Sequence, residues 1–202
     1  MSEVTAIAIG ARSRPLPEAG LARVIEIAGL TDLKAAAARA TTPLVWLVDA
    51  AAAPFADTLP ALLEHTDAPA ASLPVDSRGL PVETALGKID DDDADTVLAR
   101  IIEHRVPLRH TTVTSLLLER DLVAAVPPPD PQRFGRYADT EWTARVFARR
   151  PGMLVPASRV EFVPARAGSP LQAVRVARSG AWRRGEALRE LHRTTLGRAR
   201  RG

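Results

Sequence analysis

In the first half of the chain, short apolar runs alternate with polar, turn-forming stretches. Residues 4–9 (VTAIAI) and 24–28 (VIEIA) are brief runs rich in β-branched residues, and residues 44–48 (LVWLV) are apolar at every position. A strand apolar throughout is buried on both faces, as in a parallel sheet covered by helices. Between the second and third runs, residues 31–40 (TDLKAAAARA) are Ala-rich behind a polar Thr-Asp start. This predicts a crossover helix, and such strand–helix–strand connections are right-handed.

The LVWLV run ends in Asp49, and Ala50–Ala53 with Pro54 lead into a helix expected over residues 57–65 despite Pro60. Asp49 is thereby placed at the carboxyl end of a strand, where open α/β sheets bind ligands. Residues 70–75 followed by Asp76, Ser77, Arg78 and Gly79 read as a strand and turn, with a return through residues 80–82. Five aspartates at positions 90–93 and 95 precede a helix-like stretch at 96–104; acids there complement a helix dipole, a reading preferred over a cation site. Residues 111–119 (TTVTSLLLE) fit a strand or the start of a buried helix, and residues 126–131 (VPPPDP) form a loop. Residues 137–149 fit a helix with Trp142 and Val146 on one face and Asp139 and Glu141 near its positive end. By themselves, Asp139 as an N-cap and Glu141 as a first-turn acid suit a helix N-terminus better than a site.

Composition narrows the class. With 46% hydrophobic and 25% charged residues, the 202-residue chain is an ordinary globular sequence, and 4% aromatics leave Ala, Leu and Val to build the core. The absence of cysteine excludes disulfides and thiolate metal sites and suits a reducing, cytoplasmic compartment. The N-terminal apolar run is too short for a signal peptide, and no stretch approaches the length of a membrane span.

Charge is unevenly spread. Residues 165–202 hold ten Arg and two Glu, a net of +8, against −5 for the rest of the chain, which together make the overall +3. We therefore divide the chain into a main domain at 1–164 and a basic C-terminal helix or tail at 165–202. In that tail, Trp182, Leu188, Leu191 and Leu196 form an apolar stripe that would dock on the domain or, next in order, on the inner face of a membrane. The acidic body and scarce aromatics disfavour nucleic acid. Self-association is left open.

Candidate chemistry is sparse. Four scattered histidines form no HExxH pair, and neither a GxSxG elbow nor a phosphate-binding GxxxxGK[ST] loop occurs. Arg109 and His110 read as a polar turn, with contact to a phosphate or acceptor as the alternative.

Several segments, in order from about residue 24 to 164, resemble family 2 glycosyltransferases. VIEIAGLTD is similar to that family's second strand and turn, and PLVWLVDAAAAP to the strand carrying its metal-binding DxD motif. SLPVDSRGLPV is similar to a family hairpin. SLLLERDLVAAVPPPDPQRFGRYADTEWTAR resembles the acceptor-side segment ending in an acidic motif, here Asp139, Glu141, Trp142 and Arg145.

The resemblance implies a GT-A-like α/β fold, a mixed sheet flanked by helices, with a compressed N-terminal half. It implies transfer of a sugar from a nucleotide-sugar donor to a glycan or lipid-linked acceptor. Asp139 would be the general base of an inverting reaction, because a carboxylate can take the acceptor's proton as the diphosphate leaves. Asp49 would bind donor or a divalent metal (Mg or Mn), and Glu141, Trp142 and Arg145 would line the donor and acceptor site.

The sequence also departs from the family. The second DxD carboxylate is replaced, since Asp49 is followed by Ala50 and Ala51, and Arg159 or Glu161 stands near the place of a family histidine. Between Gly10 and Val24 there is too little chain for the usual first helix, and a strand is missing before LVWLV. These departures motivate a second expectation, a non-catalytic binding or assembly module on the same fold.

Overall fold

The structure, a computed structural model, describes residues 4–12, 14–82, 106–163, 169–182, 187–188 and 192. The aspartate run and the helix expected at 96–104 lie outside them, as do Leu191 and Leu196.

Strands β1 (Val4–Ile9) and β2 (Leu21–Ile27) pair in parallel across a helix-free connection, residues 10–20. A short 3-10 turn (Leu30–Asp32) and helix α1 (Leu33–Arg39) lead to β3 (Leu44–Asp49), which joins β1 on its other side, also in parallel. After β4 (Ala52–Pro54) come helix α2 (Thr58–Leu63) and β5 (Ala70–Val75), then the turn at Asp76–Gly79, closed by Asp76 N–H donating to the Leu80 carbonyl. Strands β6 (Val106–Leu108) and β7 (Ser115–Glu119) precede α3 (Arg120–Ala125), α4 (Pro131–Phe134), a 3-10 turn (Gly135–Tyr137) and the long helix α5 (Ala138–Arg149). The long strand β8 (Gly152–Phe162) and α6 (Pro170–Arg178) follow.

One sheet runs in the order β2-β1-β3-β7-β5-β8-β4, with β6 paired to β8. The purely parallel frame suggested by the apolar runs holds for β2-β1-β3 and again for the β5-β8 pair, but not across the whole sheet. β7 inserts antiparallel between β3 and β5, making the sheet mixed, and residues 115–119 are strand, not helix. Hydrophobicity alone could not decide that, because Leu116, Leu117 and Leu118 are buried and would suit either element. A shift of register against β8, between Ser72 and Leu73, lets one half of β8 pair with β6 and the other with β4.

The unbroken apolar character of β3 follows from burial on both faces. Val45 and Leu47 pack with Ile7, Ile25 and Leu33 beneath α1, α3 and α5, while Trp46 and Val48 pack with Val4, Leu59 and Leu62 beneath α2. Helix α6 docks on the 131–138 region through Ala173 and Val176, and Trp182 of the basic segment meets the Tyr137 ring edge-on at 5.1 Å. Leu188 is exposed. Gly135, at φ +58 and tight against the Gln172 amide, fits where any side chain would collide. No described helix is long and apolar enough to cross a membrane.

A buried polar chain crosses the middle of the sheet. Trp46 Nε1–H donates to Ser115 Oγ at 2.9 Å, Ser115 and Ser72 hydroxyls bond at 2.7 Å, Ser72 and Ser158 at 2.8 Å, and Ser158 donates to the Thr58 carbonyl at 2.8 Å. It ties β3, β7, β5, β8 and α2 together, and a buried hydroxyl stripped of a partner keeps its desolvation cost. Ser72→Ala removes the central link, and urea unfolding should show a loss of about 1–3 kcal/mol. A loss below about 0.5 kcal/mol would mean that the chain of hydroxyls adds nothing to stability.

Candidate functional site

The site is built where β3 stops. Asp49 pairs with Ile9 of β1 in register, and Ala50 N–H donates to the Ile9 carbonyl at 2.8 Å. Gly10, at φ +90, lies so close to Ala50 that an added Cβ would sit 3.1 Å from the Ala50 Cβ. The chain can turn away from β1 at this point only because position 10 is glycine. Asp49 Oδ1 accepts from Ala51 N–H at 2.7 Å, which folds the carboxylate back over the turn.

Asp139 reaches the same strand end from α5. Its Oδ1 accepts from Thr140 N–H at 2.7 Å and from the Thr140 hydroxyl at 3.4 Å, and its Oδ2 accepts from Val113 N–H at 3.2 Å. Tyr137, not Asp139, occupies the N-cap position, so Asp139 lies in the first turn without capping the helix. Residues 111–114, the approach to β7, are tied to α5 a second time. Thr111 N–H donates to Thr143 Oγ1 at 3.0 Å, and that hydroxyl donates back to the Thr111 carbonyl at 2.6 Å. The neighbouring Thr114 carbonyl accepts from Asp49 N–H at 3.1 Å.

The two carboxylates interact. Burial pushes the Asp139 carboxyl up from 3.8 to about 6, against the hydrogen bonds from Thr140 and Val113, and the Asp49 charge pushes the same way. Asp49 is likewise raised by burial, opposed by Ala51 N–H and by the Arg12 guanidinium.

Arg12 is a participant that the sequence reading did not identify. Half-buried in the connection after β1, it donates from Nη1 to the Asp49 carbonyl at 2.8 Å, from Nη2 to the Ala52 carbonyl at 3.0 Å and from Nε to the Arg14 carbonyl at 3.2 Å. Its contact with Asp49 spans 37 positions, a separation that no local pattern reveals. One signal was available: a basic residue just past the end of β1, on the edge of the sheet where ligands bind.

The remaining expected residues lie elsewhere. Trp142 is fully buried in the main core with Val146 and Leu154, so its ring contacts core side chains rather than a ligand; the i, i+4 pairing with Val146 already placed it on the inner face. Among the described residues its indole Nε1 has no hydrogen-bond partner. Glu141 is buried and paired bidentately with Arg145, Nε to Oε1 at 2.9 Å and Nη2 to Oε2 at 3.0 Å, while Arg145 Nη1 donates to the Pro127 carbonyl at 2.9 Å. That pair straps α5 to the proline-rich loop. Arg159 lies over the Phe55 ring at 6.0 Å, and Glu161 stands 3.7 Å from Arg14. Arg109 is half-buried and His110 buried in the turn after β6.

A divalent cation such as Mg or Mn requires several hard oxygen ligands, and Asp49 is followed by two alanines. Among the described residues, no three or more His, Asp or Glu side chains come together as a metal site. The donor set at the end of β3 therefore does not fit a resident metal, and the cation beside Asp49 is Arg12.

Two cavities flank this strand end. One, of about 690 Å³, opens beside β2 between Arg12, Arg14, Arg23, Leu16 and Val24; a smaller one, of about 190 Å³, lies against Ala50–Ala53, Glu161 and Arg14. Neither is lined by Asp49 or Asp139.

No family model matches the sequence, and no curated protein matches it. Among solved structures the chain is similar to GalNAc-T7, crystallised with UDP, GalNAc and Mn2+, at a TM-score of 0.52 and 12% identity over 88% of this chain and 47% of that one. The fold is the GT-A glycosyltransferase fold. The chain spans about half the length of GalNAc-T7. At 12% identity the likeness extends to the fold and no further. A197 from STIV is similar at a TM-score of 0.46 and 6% identity, over 82% of this chain and 96% of that one, which is too distant to add to the argument.

The carboxyl of Asp139 makes stability depend on pH. The native group holds its proton up to about pH 6, whereas the unfolded group releases it near 3.8, so the native state binds more protons between these values. The stability it contributes is complete below 3.8 and is lost as pH rises through 6. Denaturation of wild type and Asp139→Asn across this window should show the variant gaining on wild type with rising pH, by up to about 3 kcal/mol. Parallel pH profiles would refute the raised pKa.

Proposed function

We propose that the chain is a glycosyltransferase of the family 2 type, transferring a sugar from a nucleotide-sugar donor to an acceptor hydroxyl with inversion. The observation that carries this reading is Asp139: a carboxyl held in place by Val113 and Thr140, beside Asp49, with its pKa pushed up to about 6. A base with a pKa just under neutrality is ionised at pH 7 and is a stronger proton acceptor than an ordinary aspartate. Asp139 takes the acceptor's hydroxyl proton while that oxygen bonds to the anomeric carbon and the bond to the donor diphosphate breaks. Asp49 positions the donor side. Glu141 and Arg145 support the site by fixing α5 against the 126–130 loop, and Trp142 supports it from within the core.

A second reading, the non-catalytic module, is favoured by two observations. The two cavities are lined by neither carboxylate, and the end of β3 carries Ala50 and Ala51 where a DxD motif would continue.

The two readings separate on turnover. With UDP-, GDP- and dTDP-sugars, wild type should transfer sugar to acceptor or, slowly, to water, and kcat/KM should rise about tenfold per pH unit to a plateau above pH 6. Asp139→Asn should lower kcat by about 10²–10⁴-fold and leave donor affinity unchanged. Donor binding without turnover would instead support the module, and turnover unaffected by Asp139→Asn would remove Asp139 as the base.

A further inference from the structure

We propose that Arg12 takes the place of a metal ion at the end of β3, so that the chain holds a diphosphate group through guanidinium contacts and without a divalent cation. The inference rests on the donor-site reading above and deepens it.

Three observations lead to it. First, the carboxylate set is one residue deep: Asp49 is followed by Ala50 and Ala51, and no described group of acids or histidines can hold a cation. Second, the cation is already supplied by the protein. Arg12 is fixed by the carbonyls of Asp49, Ala52 and Arg14, bonds that consume three of its five N–H donors and leave two without a partner among the described residues. Burial lowers its pKa, while Asp49 and Glu26 counter that effect, and an arginine stays protonated at neutral pH even so. A guanidinium anchored on the backbone carbonyls beside Asp49 supplies the positive charge that a metal would, and its planar fork matches phosphate oxygens. Third, there is room. The cavity of about 690 Å³ is lined by Arg12 and by two further arginines, Arg14 and Arg23, and lies in the size range of small-molecule sites.

Arg14 lines both cavities, and its side chain is 67% exposed with only a loose 3.7 Å contact to Glu161. An arriving diphosphate can exchange that contact for a stronger one at little cost, because exposed ion pairs contribute little. Arg12 is the fixed cation, and Arg14 the adjustable one.

The cavity exists because the connection after β1 is short. Parallel neighbours are ordinarily joined by a dozen or more residues with a helix, but residues 10–20 contain none. The face of β2 bearing Val24 and Glu26 is therefore uncovered, with Val24 44% exposed. The segment that lost the helix is the one that supplies Arg12 and Arg14.

The test is calorimetric titration of the full chain with UDP and with inorganic pyrophosphate, each in EDTA and in Mn2+. The expected result is binding of both ligands in EDTA, within about twofold of the affinity in Mn2+, and at least about tenfold weaker binding by Arg12→Ala. Thermal melting establishes that this variant is folded. Should it not be, Arg14→Ala carries the same comparison, since its exposed side chain leaves the fold intact. Binding only in Mn2+, or binding undiminished in a folded Arg12→Ala and in Arg14→Ala, overturns the inference and leaves the donor-site reading standing. No binding of UDP in either condition overturns both.

Discussion

The site depends on one dipeptide. Val113 and Thr114 lie between the end of β3 and the start of α5, and their backbones face both ways: the Thr114 carbonyl accepts from Asp49 N–H, while Val113 N–H donates to Asp139 Oδ2. Two residues 90 positions apart are held together by the backbones of two adjacent residues. This is possible because β7 runs antiparallel to β3. Its incoming end, not its outgoing end, meets the carboxyl end of β3, and the segment leading into it passes over the site. The pair of hydrogen bonds between Thr111 and Thr143 then fixes that segment to α5, so the helix cannot rotate without breaking the approach to β7.

The same arrangement explains the unusual basicity of Asp139. Two backbone N–H groups and a hydroxyl favour its ionised form, yet burial outweighs them and the carboxyl moves up to about 6. At neutral pH the fold therefore carries an ionised group in a place that disfavours it. Such strain persists only where surrounding structure over-determines the geometry. Here that support comes from the hydroxyl chain across the sheet and from the Glu141–Arg145 strap, both remote from any reacting atom.

Much of this was legible in the sequence, and what was not has a common cause. β3 was legible because burial on both faces demands an apolar residue at each position, which also located Asp49. The helix α5 was legible in its pattern, and the spacing of Trp142 from Val146 placed that ring in the core, although the resemblance had given it a ligand contact. The antiparallel course of β7, the split register of β8 and the role of Arg12 were not legible. Each is a relation between distant segments: Leu116 pairs with Leu47, Ser72 bonds to Ser158, and Arg12 reaches Asp49. Periodicity reports which face of an element is buried, and says nothing of which neighbour buries it.

On the proposed glycosyltransferase reading, the departures from the family 2 pattern have a shared explanation. Losing the second carboxylate removes a metal ligand, and shortening the connection after β1 removes a covering helix; taken separately, each is a defect. Together they place an arginine from the shortened connection on the backbone carbonyl of Asp49, the residue that carries the one carboxylate left of the motif. A cation is thus kept at the end of β3 while its source changes from a bound ion to the chain itself. Unlike an ion, a guanidinium cannot dissociate, and its charge is always present. Its reach is nonetheless limited by the carbonyls that hold it. On that reading the chain would exchange an adjustable coordination sphere for a fixed one, which would favour a single diphosphate geometry over a range of them.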